Sequence, residues 1–372
     1  MYTLKTVTTK KESRHFTKFP NDLYNDVKPY TTTLSLDEEF NFNPQKNPVL
    51  EYCDTIRFLV YDNKKVVGRI AGIINRKWNE EFNGKTARFS RIDMIDDIKV
   101  TKMLIDSITK WAKEKGMDTL IGPIGFTDLD RQGMLVDGFE EMNMFITIYN
   151  HPYYKEHLEK LGFIKDADWI EKRITVPGEV PDKVKRGAEI ARRRFGFKLQ
   201  KIKKRKEISK YVYEAFDMYN IAFKNLYGFL ALPKDVIDYY VSMFITMVRL
   251  DYLWFVLDKD DKVASFALVM PSLSRSMKLS KGKLFPFGWY RILKDFRTNE
   301  VVDLWFIAVD PKYQGQGLVA LFWEDAIKLF NKKGVKFAET GPELENNAHM
   351  VNMWKDYDHR THKRRRCYTK KI

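Results

Sequence analysis

The stretch VDPKYQGQGLVALF (309–322) holds two glycines, Gly315 and Gly317, between an apolar strand and a segment with helical periodicity. Glycines in such a loop let backbone N–H groups turn inward, and they let a ligand approach without a Cβ in the way. The helix that follows adds unpaired N–H groups and the positive end of its dipole. This combination favours a bound phosphate or pyrophosphate. Because the spacing is neither GxGxxG nor GxxxxGK[ST], a dinucleotide fold and a P-loop NTPase lose support.

The elements that must position this loop occur twice along the chain. The first half predicts a hairpin that turns at Asp62-Asn63, a third strand, a helix and a short strand (55–75, 86–95, 100–116 and 119–125). The second half repeats this order (251–270, 301–309, 318–334 and 336–343). The strings KEKGMDTLIGP (113–123) and NKKGVKFAETGP (331–342) are also weakly alike. The sequence therefore predicts an α/β fold with mixed sheets that arose by duplication of one domain.

The boundary between the two halves is predicted at VPGEVPD (176–182), which has two prolines, a glycine and no apolar periodicity. We expect a first domain over 1–176, a linker over 177–185 and a second domain over 186–372. A very basic segment, 183–206, follows the boundary. It fits a nucleic-acid-binding arm or, more commonly, the exposed face of a solvated helix.

The composition restricts the partners and the class of site. The formal charge of +15 and the pI of about 9.4 suit anionic partners such as coenzyme phosphates or nucleic acid, or simply a lysine-rich solvated surface. Two distant cysteines, Cys53 and Cys367, and six scattered histidines predict neither a disulfide framework nor a bound metal. The N-terminus lacks an apolar signal core, and no apolar run reaches the roughly 18–20 residues that span a bilayer. We expect a cytoplasmic protein without a transmembrane segment.

The loop and its strand, VVDLWFIAVDPKYQGQGLVALF (301–322), resemble the acyl-coenzyme A binding motif of the GNAT superfamily of N-acyltransferases. That motif is Gln or Arg, two residues, Gly, one residue, then Gly or Ala, after a strand that ends near a proline. Gln314, Gly317 and Pro311 fit it, whereas Val319 stands where the family prefers Gly or Ala. The order of strands and helices extends the resemblance over both halves and implies two tandem GNAT-like domains.

The resemblance implies a co-substrate, acetyl-CoA or another acyl-CoA, with acetyl the commonest acyl group, and no metal. It also implies that the acceptor, a small-molecule or peptide amine, attacks the thioester directly. The pyrophosphate would lie on the main chain of 315–319 and the pantetheine along the preceding strand. The implied cofactor-binding residues are Ile307, Ala308, Val309, Gln314, Gly315, Gln316, Gly317, Leu318, Val319 and Asn347.

The acceptor amine must lose a proton, which calls for a general base. Asp303 lies six residues before Val309, where several family members carry a base glutamate. It could equally cap the strand or pair with a lysine. Glu339, at the end of the next predicted strand, is an alternative base.

A general acid for the leaving thiolate is harder to assign. Family members often place a tyrosine in the pattern N-x-x-A-x-x-x-Y, and the corresponding segment here is ENNAHMVNMWKDYD (345–358). Asn347 fits the pattern, but Trp354 occupies the tyrosine position and cannot deliver a proton. Tyr357, three residues on, is the candidate acid, with a packing role as the alternative.

The first half has no glycine loop. Asp96 and Asp97 stand where a phosphate would bind, which is the wrong charge for coenzyme A. We therefore expect a degenerate first domain and a catalytic second domain. Two other functions stay open. One is tRNA-dependent aminoacyl transfer of the peptidoglycan-bridge type, for which the basic segments would bind RNA. The other is a non-catalytic RNA- or membrane-binding protein derived from an acyltransferase.

A long insertion, 272–299, replaces the short hairpin that the resemblance implies between two strands of the second half. It mixes aromatic residues with lysines and arginines. An insertion of this length is uncommon without a role or a structure of its own. It is consistent with a lid over the site, a surface that lies on a membrane, or a segment that fills the space between domains.

Overall fold

The structure is a computed structural model that describes residues 1–32, 35–281, 283 and 285–372. Gly282 and Leu284, in the insertion, lie outside the described residues. The β-strands are β1 (Tyr2–Thr6), β2 (Cys53–Asp62), β3 (Lys65–Asn75), β4 (Thr86–Met94), β5 (Thr119–Gly122), β6 (Met134–Asp137), β7 (Ile164–Thr175), β8 (Lys198–Lys201), β9 (Leu253–Leu257), β10 (Val263–Pro271), β11 (Val301–Val309), β12 (Phe337–Thr340), β13 (Glu343–Leu344) and β14 (His359–Lys371). The α-helices are α1 (Lys10–Leu23), α2 (Ser35–Asn41), α3 (Arg76–Glu81), α4 (Ile98–Glu114), α5 (Tyr153–Lys160), α6 (Asp182–Arg193), α7 (Val212–Ala222), α8 (Lys234–Phe244), α9 (Ser274–Ser280), α10 (Gly288–Asp295), α11 (Leu318–Lys333) and α12 (Ala348–Met353).

The chain divides into two compact units, and neither is a single stretch of sequence. The first unit holds Met1–Ile170, Ser274–Arg291 and His362–Ile372, and the second holds Glu171–Leu273 and Ile292–Thr361. The ranges of these units differ from the predicted domains, 1–176 and 186–372. Part of the insertion and the C-terminal strand belong to the first unit, and α6 begins inside the predicted linker 177–185.

The sheet of the first unit runs in the order β1-β2-β3-β4-β5-β14. The registered pairs are antiparallel except for β4 with β5, which is parallel. Helix α4 packs on this sheet through an apolar face that includes Leu104, Ile108 and Trp111. The hairpin predicted at Asp62-Asn63 is confirmed, and Asn63 has the positive φ of 53° that a tight turn requires.

The sheet of the second unit repeats this pattern in the order β7-β12-β11-β10-β9-β8. Again only one registered pair, β11 with β12, is parallel. Helices α11 and α6 pack together on the core of one face, where Leu321, Phe322 and Ala188 are buried. Helix α7 packs on β10 and β11 from the other face, and Ala215 and Met218 are buried there. The duplicated mixed α/β fold predicted from the sequence is therefore confirmed.

Each unit is completed by a strand that is distant in sequence from the strand it pairs with. In the first unit, residues 368–371 of β14 pair with β5. In the second unit, residues 173–175 of β7 pair with β12. Both pairings are antiparallel and place the added strand beside the second member of the parallel pair.

Candidate active site

The parallel strands of the second unit, β11 and β12, are paired only at the start of β11. Strand β11 pairs with β12 only over 301–304, opposite 337–340. The last link is the amide of Gly341, which donates to the carbonyl of Leu304 at 3.1 Å. Strand β11 then continues to Val309 with β10 as its one registered neighbour. Its other edge has no strand partner over 305–309 among the described residues, and we call this stretch the open edge.

Two of the predicted strand residues direct backbone polar groups to this open edge. The amide of Asp310 donates to the carbonyl of Ala264, next to β10, at 3.0 Å. Residues of an antiparallel strand alternate between facing their partner and facing away. Ala308 consequently faces β10, whereas Ile307 and Val309 present their N–H and C=O groups to the opening. A bulge interrupts the register at the start of this stretch, between Leu268 and Val269 of β10.

The loop after β11 has the form that the sequence predicted. Gly315 is exposed, with φ of +78°, and a Cβ built on it would meet no heavy atom within 4 Å. Gln314 is exposed and Gln316 is half-buried. The amides of residues 315 and 317–319 donate to no backbone carbonyl of the described chain. They stand at the positive end of α11, a position that favours anions in proteins.

Gly317 is needed for packing as well as for its backbone conformation. It caps α11 with φ of +83°, and a Cβ there would lie 2.6 Å from the carbonyl oxygen of Gly187 in α6. Gly187 in turn faces Ala320, whose Cβ would lie 3.0 Å from an added Cβ. Val319 is half-buried and packs against the core of this unit.

The two predicted bases lie side by side. Asp303 of β11 is in register with Glu339 of β12, and the exposed fractions of these residues are 1% and 7%. Paired residues of neighbouring strands project to the same face, about 5 Å apart. Arg173 of β7 is in register with Glu339, and its guanidinium lies 3.4 Å from the Glu339 Oε1. The structure thus places two acidic side chains and one guanidinium in a row across the parallel pair.

Asn347 and Tyr357 have clear structural contacts. The side-chain oxygen of Asn347 caps α12 by accepting a hydrogen bond from the amide of Met350 at 3.4 Å. The ring of Tyr357 lies 6.2 Å, between centroids, from the rings of both Trp323 and Trp354. Burial in this cluster raises the pKa of Tyr357 to about 12, so it keeps its proton at neutral pH.

Sequence reasoning missed one titratable residue, Glu343 of β13. It is 8% exposed, and the indole Nε1 of Trp354 donates to its Oε1 at 2.8 Å. Its Oε2 is buried without a hydrogen-bond partner among the described residues. Burial raises the pKa of Glu343 to about 7, although the Trp354 hydrogen bond and the Lys172 ammonium act in the opposite direction. Glu343 lies two residues beyond Gly341, where β12 leaves β11.

The first unit has the same frame but fills its opening with its own side chains. The parallel pairing of β4 with β5 covers only 86–88 and 119–121. Beyond it, the amide of Met94 donates to the hydroxyl oxygen of Tyr154 at 2.8 Å. The Met94 carbonyl accepts from the hydroxyl of Tyr153 at 2.7 Å. Backbone groups that face the opening in the second unit are therefore occupied in the first.

The phosphate position of the first unit is also occupied. Asp97 caps α4 and accepts a hydrogen bond from the amide of Lys99 at 2.8 Å. This bond, together with one from the Tyr2 hydroxyl, holds the pKa of Asp97 below its usual range. A carboxylate thus sits on the helix N-terminus where an anionic ligand would bind.

The fold and the opened parallel pair of the second unit resemble those of known proteins. Residues 217–357 match the sequence profile of the acetyltransferase (GNAT) family. A solved tandem GNAT protein from the clavulanic acid biosynthesis pathway has a TM-score of 0.57 at 12% identity, over 100% of this chain and 98% of its own. The solved structure shows that the fold is that of a tandem GNAT protein, and the segment that matches the GNAT family contains the candidate site.

Two curated proteins are similar over most of the chain. Protein YghO of Escherichia coli K12 is 23% identical over 393 residues, which cover 99% of this chain and 95% of that protein. A bacterial ceramide synthase of Caulobacter vibrioides is 23% identical over 327 residues, which cover 85% of this chain and 83% of that protein.

The described part of the chain lacks two classes of feature. No group of three or more His, Cys, Asp or Glu side chains is arranged to hold a metal ion there. Nor does any helix in the same residues combine the length and the apolar character that crossing a membrane requires.

Proposed function

We propose that the second unit transfers an acyl group from an acyl-coenzyme A to an amine. The observation that supports this most directly is the edge of β11 beyond residue 304, which leads from the buried acidic pair to the loop amides at 315–319. One continuous path of backbone donors and acceptors suits a ligand with a diphosphate at one end and an amide-rich arm at the other. Coenzyme A has this chemistry.

The residues of the site divide between holding the coenzyme and moving protons. The amides of the loop residues 315–319, with Gln314 beside them, would bind the pyrophosphate, and Ile307 and Val309 would bind the pantetheine. The coenzyme supplies the thioester. The amine nitrogen bonds to the thioester carbonyl carbon, the carbon–sulfur bond breaks, the amine proton passes to a base, and the thiolate takes up a proton.

The acidic pair is suited to the role of base. Asp303 and Glu339 lie on one face at the point where the strands begin to separate. Arg173 offsets part of their negative charge. We assign the proton acceptor to this pair rather than to either carboxylate alone, because neighbouring carboxylates share a proton.

Two residues are suited to protonate the thiolate. Glu343, with a pKa near 7, is partly protonated at neutral pH. The Trp354 indole, at the position of the family tyrosine, would then orient this acid instead of acting as one. Tyr357 stays the predicted alternative, although its contacts are with the aromatic cluster.

The more specific part of the proposal concerns the identity of the acyl group and of the acceptor. Acetyl-CoA is the donor expected from the family. The resemblance to a ceramide synthase favours a second candidate, a long-chain acyl-CoA with a lipid-like amine, because ceramide is the amide of a long-chain amino alcohol. That the acceptor is a peptide amine and that the protein is cytoplasmic remain predictions.

The proposal is tested by calorimetric titration of acetyl-CoA and of a long-chain acyl-CoA below its micellar concentration. Gly315→Asp places a carboxylate on the exposed loop, where a side chain has space. Gly315→Asn is the matched neutral control, since Asn and Asp tolerate positive φ comparably. At about 5 Å from the diphosphate, the added charge should cost about 1–3 kcal/mol for an effective dielectric of 80 to 20. The dissociation constant should therefore rise about 5-fold to 150-fold for Asp only.

Two results would overturn the assignment. The first is the absence of heat with either thioester for the wild-type protein. The second is equal weakening by Asp and Asn, which would mean that the loop does not hold an anion. If the protein does not bind coenzyme A but binds tRNA with a steep salt dependence, the aminoacyl-transferase or RNA-binding alternative replaces the acyl-CoA proposal.

A further inference from the structure

The insertion exposes an unusual concentration of large apolar side chains. Among the described residues, six of the sixteen exposed large apolar side chains fall within 279–293, which we call the aromatic segment. They are Leu279, Phe285, Phe287, Trp289, Tyr290 and Leu293. Phe285 and Phe287 are the most exposed of these, at 77% and 69%. Single exposed apolar side chains are ordinary, but contiguous groups of them mark interaction surfaces.

The aromatic segment belongs to the first unit up to Arg291, and the helix that precedes it is well packed. Met277 of α9 is 1% exposed, and its carbonyl accepts a hydrogen bond from the Thr32 hydroxyl at 2.6 Å. The next residue, Lys278, donates to the carbonyl of Lys28. Leu279, directly after these contacts, is 53% exposed. The apolar surface therefore begins where the anchored helix ends.

Hydrogen bonds within the segment hold its side chains outward. The indole Nε1 of Trp289 donates to the carbonyl of Pro286 at 2.8 Å. The guanidinium of Arg291 donates to the carbonyl of Leu279. Gly288 is buried against the backbone, since a Cβ on it would lie 2.1 Å from the carbonyl oxygen of Lys283. The loop thus closes on its own backbone and leaves the aromatic rings in solvent.

The charges around the aromatic segment are almost all positive. Residues 274–297 contain seven Lys and Arg but one acidic residue, Asp295. Arg275, Lys281 and Lys283 are exposed, and none of these three has a carboxylate partner among the described residues. Such a surface attracts an anionic partner.

We propose that the aromatic segment inserts into the surface of an anionic lipid bilayer and holds the protein at the membrane interface. Exposed Phe and Leu side chains gain from entering the acyl-chain region, and Trp and Tyr favour the headgroup boundary. Lysines and arginines around them are attracted to anionic headgroups. The exposed leucines favour a bilayer over single-stranded nucleic acid, because stacking on bases requires flat rings.

The test is sedimentation of the full chain with vesicles of phosphatidylcholine, with and without 30 mol% phosphatidylglycerol (roughly the anionic content that such electrostatic binding requires). The double variant Phe285→Ser with Phe287→Ser should lower the partition coefficient at least about 10-fold on both vesicles. Lys281→Glu with Lys283→Glu should lower it only on the anionic vesicles. Ile164→Ser, which removes a 66% exposed apolar side chain elsewhere in the first unit, should change nothing.

A second measurement locates the contact in the segment. Lipids brominated on their acyl chains should quench part of the tryptophan fluorescence of the wild-type protein, and Trp289→Phe should abolish that part. The proposal is wrong if the wild-type protein does not sediment with anionic vesicles, or if Ile164→Ser weakens binding as much as the phenylalanine variant does. It is also wrong if the aromatic segment instead mediates self-association, shown by a dimer in analytical ultracentrifugation that the phenylalanine variant dissociates.

Discussion

We expect Glu343 to make the stability of this protein fall as the pH rises from about 4.5 to about 7. Its folded-state pKa of about 7 lies above the usual value of 4.5, because the carboxyl is buried. The folded protein therefore binds this proton more tightly than the unfolded chain does. The contribution is fully favourable below pH 4.5 and is lost progressively as the pH rises to about 7. Glu343→Gln, which keeps an oxygen for the Trp354 indole, removes this dependence.

The size of the effect follows from the two pKa values. A tenfold change in proton affinity corresponds to about 1.4 kcal/mol, so a pKa moved from 4.5 to about 7 costs about 3 kcal/mol of stability above pH 7. Most of this loss of stability occurs between pH 5 and pH 8. Relative to wild type, Glu343→Gln should therefore gain about 2–3 kcal/mol of unfolding free energy over this interval.

Urea denaturation of wild type and Glu343→Gln at pH 5, 6, 7 and 8 measures the difference directly. Glu345→Gln, which removes an exposed carboxyl two residues away, is the control and should follow the wild type. A constant difference between Glu343→Gln and wild type at all four pH values would refute a raised pKa. If Glu343 also protonates the thiolate, kcat of the variant should lose the limb of its pH profile near pH 7, while KM for the coenzyme stays the same.

Two further outcomes follow from contacts in the two units. The double variant Asp303→Asn with Glu339→Gln should lower kcat at least about 100-fold, because the base is lost. Coenzyme affinity, measured by calorimetry, should change little. An unchanged kcat would show that the pair takes no part in the mechanism. Tyr154→Phe leaves the buried amide of Met94 without its partner and should lower stability by about 1–3 kcal/mol in a thermal melt, with acyl-CoA affinity unaffected. Loss of that affinity would instead place coenzyme binding in the first unit.

Local sequence signals were enough to predict the frame of the fold. Alternating and helical periodicities mark β11 and α11, and Gly315 with Gly317 marks the loop between them. These signals concern residues close together in sequence, where backbone geometry is set by the residue types themselves. The position of the last strand in the sheet could not be predicted in this way. Strand β14 pairs with β5 across about 250 residues, and no local pattern specifies such a partner.

The candidate site was predictable to the same extent. The resemblance to the GNAT motif points to Asp303, and a predicted strand end points to Glu339, but only the register of β11 with β12 shows that they are neighbours. Glu343 carried no sequence signal, because its pKa depends on burial and on an indole eleven residues away. The aromatic residues of the insertion were visible in the sequence, whereas their exposure depends on backbone contacts such as that of Gly288 with Lys283.

The pairings of β7 and β14 bear on whether either half of the chain could fold without the other. In a duplication where each copy forms its own sheet, the degenerate copy could be lost without affecting the other. Here the sheet of the second unit includes 173–175 of β7, which follow the N-terminal half, and the sheet of the first unit includes 368–371 of β14. Deleting 1–176 would remove 173–175 of β7 and expose the backbone of β12, and deleting 177–372 would remove β14 and expose the backbone of β5. The first unit, which fills its opening with Tyr153 and Tyr154, therefore depends for its last strand on residues from the second half of the chain.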